Sequence, residues 1–206
     1  MLNMQNSNIQ TYSKVFSDIL KKGSQRGLVP GKTREAITWF RNTARNYKNV
    51  SVSDITKQKG PYRNMIVPGN MYMFAYDAKH KDTLPYYDAF PVIFPVRLLN
   101  DGFLGINFHY LPPVLRAKLM DSLYTIVSDP KLTENAKIRL SYNYLRTLSQ
   151  FKMFQPCLKR YLYSQFRSKF IYIAPETWDI ALFLPLESFR GASNEQVWTD
   201  SKRMLR

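Results

Sequence analysis

The chain predicts an α+β fold: a small antiparallel β-barrel or curled sheet (Src-homology-3-like), embellished by N-terminal and C-terminal helices. Three observations carry this. The apolar period is helical over the first part of the chain, turns to short alternating runs punctuated by Pro, Gly and Asn between about 61 and 112, and becomes helical again after Pro112-Pro113. With 206 residues, 45% hydrophobic and 15% aromatic, the chain is long and apolar enough to bury one good core despite its charge. The charge itself is segregated. Lys and Arg outnumber Asp and Glu by 11 to 3 over residues 1–60 and by 9 to 1 over 131–170, whereas 61–130 balances at 6 to 6. The expected organisation is a basic helical segment, 1–60, and a core domain, 61–206, with the barrel at about 61–112, helices at about 113–168 and a closing strand and helix at 169–206.

The first helix is expected over 8–22, where Ile9, Tyr12, Val15, Phe16, Ile19 and Leu20 form a stripe, and "KGSQRGLVPG" breaks it. Thr33 then caps a second helix over 34–48, with Ile37, Phe40, Ala44 and Tyr47 inward. Arg34, Arg41, Arg45 and Lys48 fall within about 60° of one another on its wheel, so one flank is cationic.

From Tyr62 a short strand, a Pro68-Gly69-Asn70 turn and a strand from Met71 to Tyr76 are expected. Pro91 to Leu98 reads as a strand that Pro95 makes an edge or bulges. Asn100-Asp101-Gly102 signals a hairpin, its glycine tolerating positive φ, and Phe103 to Tyr110 returns, with Gly105 at a bulge or close approach.

Residues 113–127 place Leu115, Leu119, Leu123 and Ile126 on one stripe, and Thr133 caps a helix reaching about Gln150, with Arg139 and Arg146 on one side. Pro156 suits the first turn of a further helix to about Ser168, whose polar face would gather Lys159, Arg160, Tyr163 and Arg167. "KFIYIA" is a strand, "PETWDIALFLP" a short helix or turn burying Trp178, and Ser193 with Gln196 opens a last amphipathic helix.

Chemistry is sparse. "GLVPGKT" at 27–33 has one residue too few between its glycines for a phosphate-binding loop, and no strand precedes it. His80, His109 and Cys157 have no companions at ligand spacing, so no metal and no cofactor is expected, and His109 reads as a satisfied residue of the sheet. Asp200-Ser201-Lys202 matches the acid-x-lysine piece of some nucleases but falls in an expected helix. The lone cysteine forbids an intrachain disulfide. No apolar run approaches a membrane span, and no secretory leader is expected. Tyr86 and Tyr87 beside Asp88 offer rings for stacking on a base, or plug the end of the sheet while Asp88 binds backbone amides; the structural reading is preferred. What remains is cations interleaved with aromatics. Arg139, Arg146, Lys159, Arg160, Tyr163, Arg167 and Lys169 would form one patch if helices 133–150 and 156–168 packed antiparallel, and Arg34, Arg41, Arg45 and Lys48 a second. Such surfaces suit DNA phosphates, without base reading, or an acidic protein.

"PGNMYMFAYDAKHKDTLPYYDAFPVIFPV", "GFLGINFHYLPPVLRAKLMD", "QPCLKRYLY" and "WDIALFLPLESFRGASNEQVWTDS" resemble a family of virion proteins from contractile-tailed phages of the T-even-like and cyanophage type, some described as DNA end protectors. The resemblance spans roughly 61–202 and leaves the N-terminal helices particular to this chain. It implies a non-enzymatic virion component near the packaged DNA end at the head–tail junction, binding double-stranded DNA through the two basic patches. The barrel would dock on other virion proteins through Tyr86, Tyr87 and Phe103, with homo-oligomers conceivable in the particle. The alternatives are a purely structural neck, tail or baseplate subunit facing acidic partners and, behind it, a packaging nuclease.

Overall fold

The computed structural model describes residues 14–48, 50–56 and 62–204. The helix expected from residue 8 is seen as α1, Lys14–Ser24; its start, with Ile9 and Tyr12, lies outside the described residues. Thr33 caps α2, Arg34–Arg45, its side chain accepting from the Ala36 amide at 3.1 Å. A short helix, α3 (Val52–Thr56), follows. The strands are β1 (Tyr62–Arg63), β2 (Met71–Met73), β3 (Tyr87–Asp88), β4 (Val92–Leu99) and β5 (Gly102–Asn107), after which Phe108–Tyr110 winds into a 3-10 turn. Helices α4 (Pro113–Val127) and α5 (Glu134–Leu148) stand where the periodicity places them. The chain ends through β6 (Leu158–Leu162), β7 (Phe170–Ile173), α6 (Trp178–Phe183), β8 (Phe189–Arg190) and α7 (Asn194–Arg203), the last capped by Ser193.

Six strands form one antiparallel sheet in the order β1-β7-β2-β4-β5-β6, and β3 pairs with β8 separately. The sheet is open between β1 and β6, so the mixed helix and antiparallel-sheet class holds but the barrel is not closed. Strand alternation buries both faces. Met71, Met73, Val92, Phe94 and Ile173 point into the helical side, where Trp178 packs edge-on to Phe94 and donates its indole N–H to Ile173 O at 3.0 Å. Residues of α1, α2 and α3 share that same buried cluster. On the other face Phe74 is ringed by Tyr76, Phe103, Tyr161, Phe166 and Phe170, with centroids 4.6–6.2 Å away. This edge-to-face cluster lets the curled sheet fill its own second face with aromatic rings. Arg116 is buried, yet fully engaged: it donates to the carbonyls of Leu111, Leu182 and His109 and pairs with Glu187 at 2.6 Å.

Several expectations are corrected. The helix expected over 156–168 is absent. A 3-10 turn, Lys152–Cys157, leads into β6, whose five residues pair with β5 from Gly102 to Ile106. The spacing of Leu158, Tyr161 and Leu162 is helical, but a strand whose two faces are both covered also accepts it, with Leu158 against the helical side and Tyr161 in the ring cluster; pairing with β5 and the aromatic hole around Phe74 select the strand. Pro95 does mark a bulge, since the register shifts between Pro95 and Arg97, but β4 is interior, between β2 and β5. Gly102 is needed for close approach and not for positive φ: a Cβ there would collide with the Tyr161 carbonyl. Phe103 is wholly buried in the ring cluster and presents nothing to a docking partner.

Candidate nucleic-acid interface

The basic flank of α2 does not act as a unit. Arg41 is only 12% exposed and is held by Asp179 at 2.6 Å and Asp121 at 2.8 Å. Burial raises the Asp179 pKa despite that guanidinium, so Arg41 serves the fold. Arg34 lies 3.4 Å from Asp121 and stacks 4.8 Å above the Tyr124 ring, but stays 64% exposed. Arg45 and Lys48 are exposed and make no ion pair among the described residues. Lys48, with Arg34, lines an open groove of about 980 Å³ along α2, where Lys22 covers Tyr47 at 5.6 Å. Close by, Arg26 covers Trp39 at 5.7 Å. Cations resting on rings keep their charge available to phosphates while their stems are packed.

Arg139 and Arg146 are exposed on α5, without ion pairs among the described residues. The strand conformation of 158–162 removes the second helix of the expected patch, and the period of two cannot gather 159, 160, 163 and 167 on one face as a helix would. Arg160 pairs with Asp101 through both carboxylate oxygens, at 2.9 and 2.7 Å, with both residues solvent-exposed. Arg167 reaches Asp77 at 3.3 Å, and the Tyr87 hydroxyl donates to the same carboxylate at 3.2 Å. Lys169 is exposed, and the half-exposed Tyr163 leans on the Phe103 and Phe166 rings.

The fold instead converges on a cleft at the free edge of β6. It has a volume of about 470 Å³ and is walled by Tyr76, Tyr86, Tyr87 and Tyr110, with Lys79, His80, Lys159 and Arg160 contributing to its lining. The Lys159 ammonium lies 4.0 Å from the centre of the Tyr110 ring, and Tyr110 faces Tyr86 with ring centres 6.1 Å apart. Burial lowers the Lys159 pKa. Beneath the cleft, Asp88 is wholly buried. It accepts from the Phe90 amide at 3.0 Å, as the sequence led one to expect, and also from the Asn107 amide group at 3.0 Å. Its Oδ2 lies 2.7 Å from His109 Nδ1. Tyr161 OH joins through Asn107 at 3.0 Å. Tyr86 and Tyr87 are half-buried, and both line this cavity.

Sequence reasoning missed Tyr76, Tyr110, Lys79, the groove cation Lys22 and Arg26, which lies over Trp39. Tyr110 reads as one more residue of an alternating strand; only the 3-10 turn at Phe108–Tyr110 turns its ring under Lys159. Gly27 and Gly31 both adopt positive φ in a loop before α2, and Asp200-Ser201-Lys202 lies within α7. Among the described residues no group of three or more His, Cys, Asp and Glu side chains could hold a metal ion, and no helix is long and apolar enough to cross a membrane.

The family model described as phage T4 terminal DNA protecting protein matches residues 2–202, so the likeness extends through the N-terminal helices that the quoted motifs left out. No curated protein and no solved structure matches the chain.

Proposed function

Because the chain belongs to the phage T4 terminal DNA protecting protein family, we propose that it is a non-enzymatic virion protein that binds the ends of double-stranded DNA and shields them from exonucleases. The observation that carries this, beside the family, is a net charge of +15 together with exposed cations that have no acidic partner among the described residues: Arg45 at the end of α2 with Lys48 just beyond it, and Arg139 and Arg146 on α5. Exposed guanidinium and ammonium groups without acidic partners suit a polyphosphate, and self-repulsion of this size is relieved by one. Contacts of this kind read no sequence, which fits a protein that must accept whatever sequence lies at a DNA terminus. The working site is the virion, near the packaged end, with neighbouring virion proteins as further partners.

A second reading has one observation behind it. Met65 is 74% exposed, and with Leu98 and Tyr163 it lines a cleft of about 670 Å³ beside Lys169. Exposed apolar surface of this kind is typical of protein contacts, and a purely structural neck, tail or baseplate subunit would use it.

The test is binding of the purified protein to short blunt duplex DNA across a salt series, with exonuclease challenge of the same samples. End protection with log K falling linearly in log salt is the expected result. Salt-insensitive or absent binding, with ends digested at the free-DNA rate, would sink the end-protecting reading in favour of the structural one.

A further inference from the structure

We infer that the cleft between β6 and the Tyr76–Tyr87 segment is a pocket for a terminal phosphomonoester of DNA together with the nucleoside that carries it. The inference deepens the end-binding reading and rests on it.

The Lys159 side chain supplies the first argument. It is half-buried, it projects onto Tyr110, and among the described residues its ammonium finds neither a carboxylate at ion-pair distance nor a hydrogen-bond acceptor. An ammonium carries three donors, and one ring face satisfies none of them fully. The acids nearby are already committed. Asp101 is bidentate with Arg160, and Asp88 is taken by His109, Asn107 and the Phe90 amide. Among the described residues the pocket therefore holds one ammonium without a counter-charge of its own, with Lys79 and His80 at its exposed margin. Desolvated charge without a counter-ion is costly, and a bound anion removes that cost.

The walls supply the second argument. Tyr86 and Tyr87, both half-buried, line the cleft beside the cationic recess and offer aromatic surface that suits a sugar and base stacked against it. A volume of about 470 Å³ falls within the ~300–1,000 Å³ of small-ligand pockets. The recess also explains how an end is told from an interior. A phosphodiester within a duplex carries a single charge and continues into chain on both sides, whereas a terminal phosphomonoester carries nearly two charges at neutral pH and continues on one side only. Only the latter reaches a recessed ammonium without dragging a second strand segment into the cleft.

The experiment compares the intact protein bound to short blunt duplexes bearing terminal phosphate, terminal hydroxyl, or hairpin-closed ends, together with thymidine 5′-monophosphate alone. Phosphorylated ends are expected to bind about tenfold or more tightly than closed ones, a ratio that collapses in Lys159→Met and shrinks in Tyr86→Leu. Melting temperature identifies any variant that fails to fold, and the second wall then serves in place of the first. Equal binding of phosphorylated and hydroxyl ends by the wild type overturns the pocket, as does a full preference retained by folded Lys159→Met. Exonuclease protection by the wild type then shows separately that the end-binding reading survives. If the wild type protects no ends, the mononucleotide decides alone: saturable binding lost in Lys159→Met supports the pocket, and its absence overturns it.

Discussion

Oδ2 of Asp88 lies 2.7 Å from Nδ1 of His109, with both side chains excluded from solvent. The contact ties β3 to the 3-10 turn that follows β5, and so holds the floor of the cleft in place. Burial alone would raise the Asp88 pKa, but the field of His109 and the bonds from His109, Asn107 and the Phe90 amide outweigh it and hold the carboxyl below its usual value. A depressed folded pKa contributes stability that is present above the unfolded value, about 4, and is lost as pH falls through the folded one. Replacing Asp88 with Ala should cost about 3–5 kcal/mol at neutral pH, because His109 and Asn107 lose their shared acceptor. Urea titrations from pH 7 to about 3 should show an acid-sensitive stability in the wild type that the variant lacks.

Arg41 and its neighbours on α2 should separate cleanly. Arg41→Ala strands the buried Asp179 and is expected to lower stability by about 3 kcal/mol. Arg45→Glu with Lys48→Glu should leave the melting temperature within a few degrees and weaken DNA binding. Thermal melts paired with salt-dependent binding distinguish the two; a binding loss in Arg41→Ala that persists where the protein is fully folded would count against the division.

On α5, Arg139→Ala and Arg146→Ala should each reduce the magnitude of the slope of log K against log salt, by about 0.9 for every DNA phosphate that the arginine neutralises in the wild type. Unchanged slopes in both would assign the DNA-facing surface to the groove along α2 instead.

Gly102→Ala is expected to destabilise by at least ~2 kcal/mol, since the new methyl must displace the Tyr161 backbone at the β5–β6 pairing. The denaturation midpoint measures it. Loss of that pairing should also loosen Lys159, so phosphate-end preference should fall with stability.

The Cys157 thiol is fully buried, and burial pushes its pKa up to about 12 against the lowering fields of Lys159 and Arg116. A thiol-specific reagent at pH 8 should react only after denaturation. Rapid labelling of the folded protein would show that the core beneath the cleft opens readily.

The helices were legible where a cap and a long apolar stripe agree. Thr33, Thr133 and Ser193 cap the helices their positions predict, and 113–127 is recovered residue for residue. The hairpin about Asp101 and the bulge at Pro95 were legible because turn chemistry and a missing amide are local properties. The segment 156–168 was misread for the opposite reason. Its apolar spacing is helical, and the terms that override it are non-local: the free edge of β5, a sheet covered on both faces, and the hole that Tyr161 fills beside Phe74.

The site divides the same way. From the sequence alone came the amount and segregation of positive charge, the aromatic-rich centre, and the absence of clustered metal-ligand spacings, and these already point to a polyanion. Which cations are spent on the fold and which remain free was decided only by the tertiary structure. Arg41 and Lys159 look alike as basic residues of a basic chain, yet one is clasped between two aspartates and the other rests on a tyrosine ring with no counter-charge among the described residues. The physical reason is range: periodicity and capping act over a few residues, whereas ion pairing and burial depend on partners 80 and 138 positions away, which only the folded chain brings together.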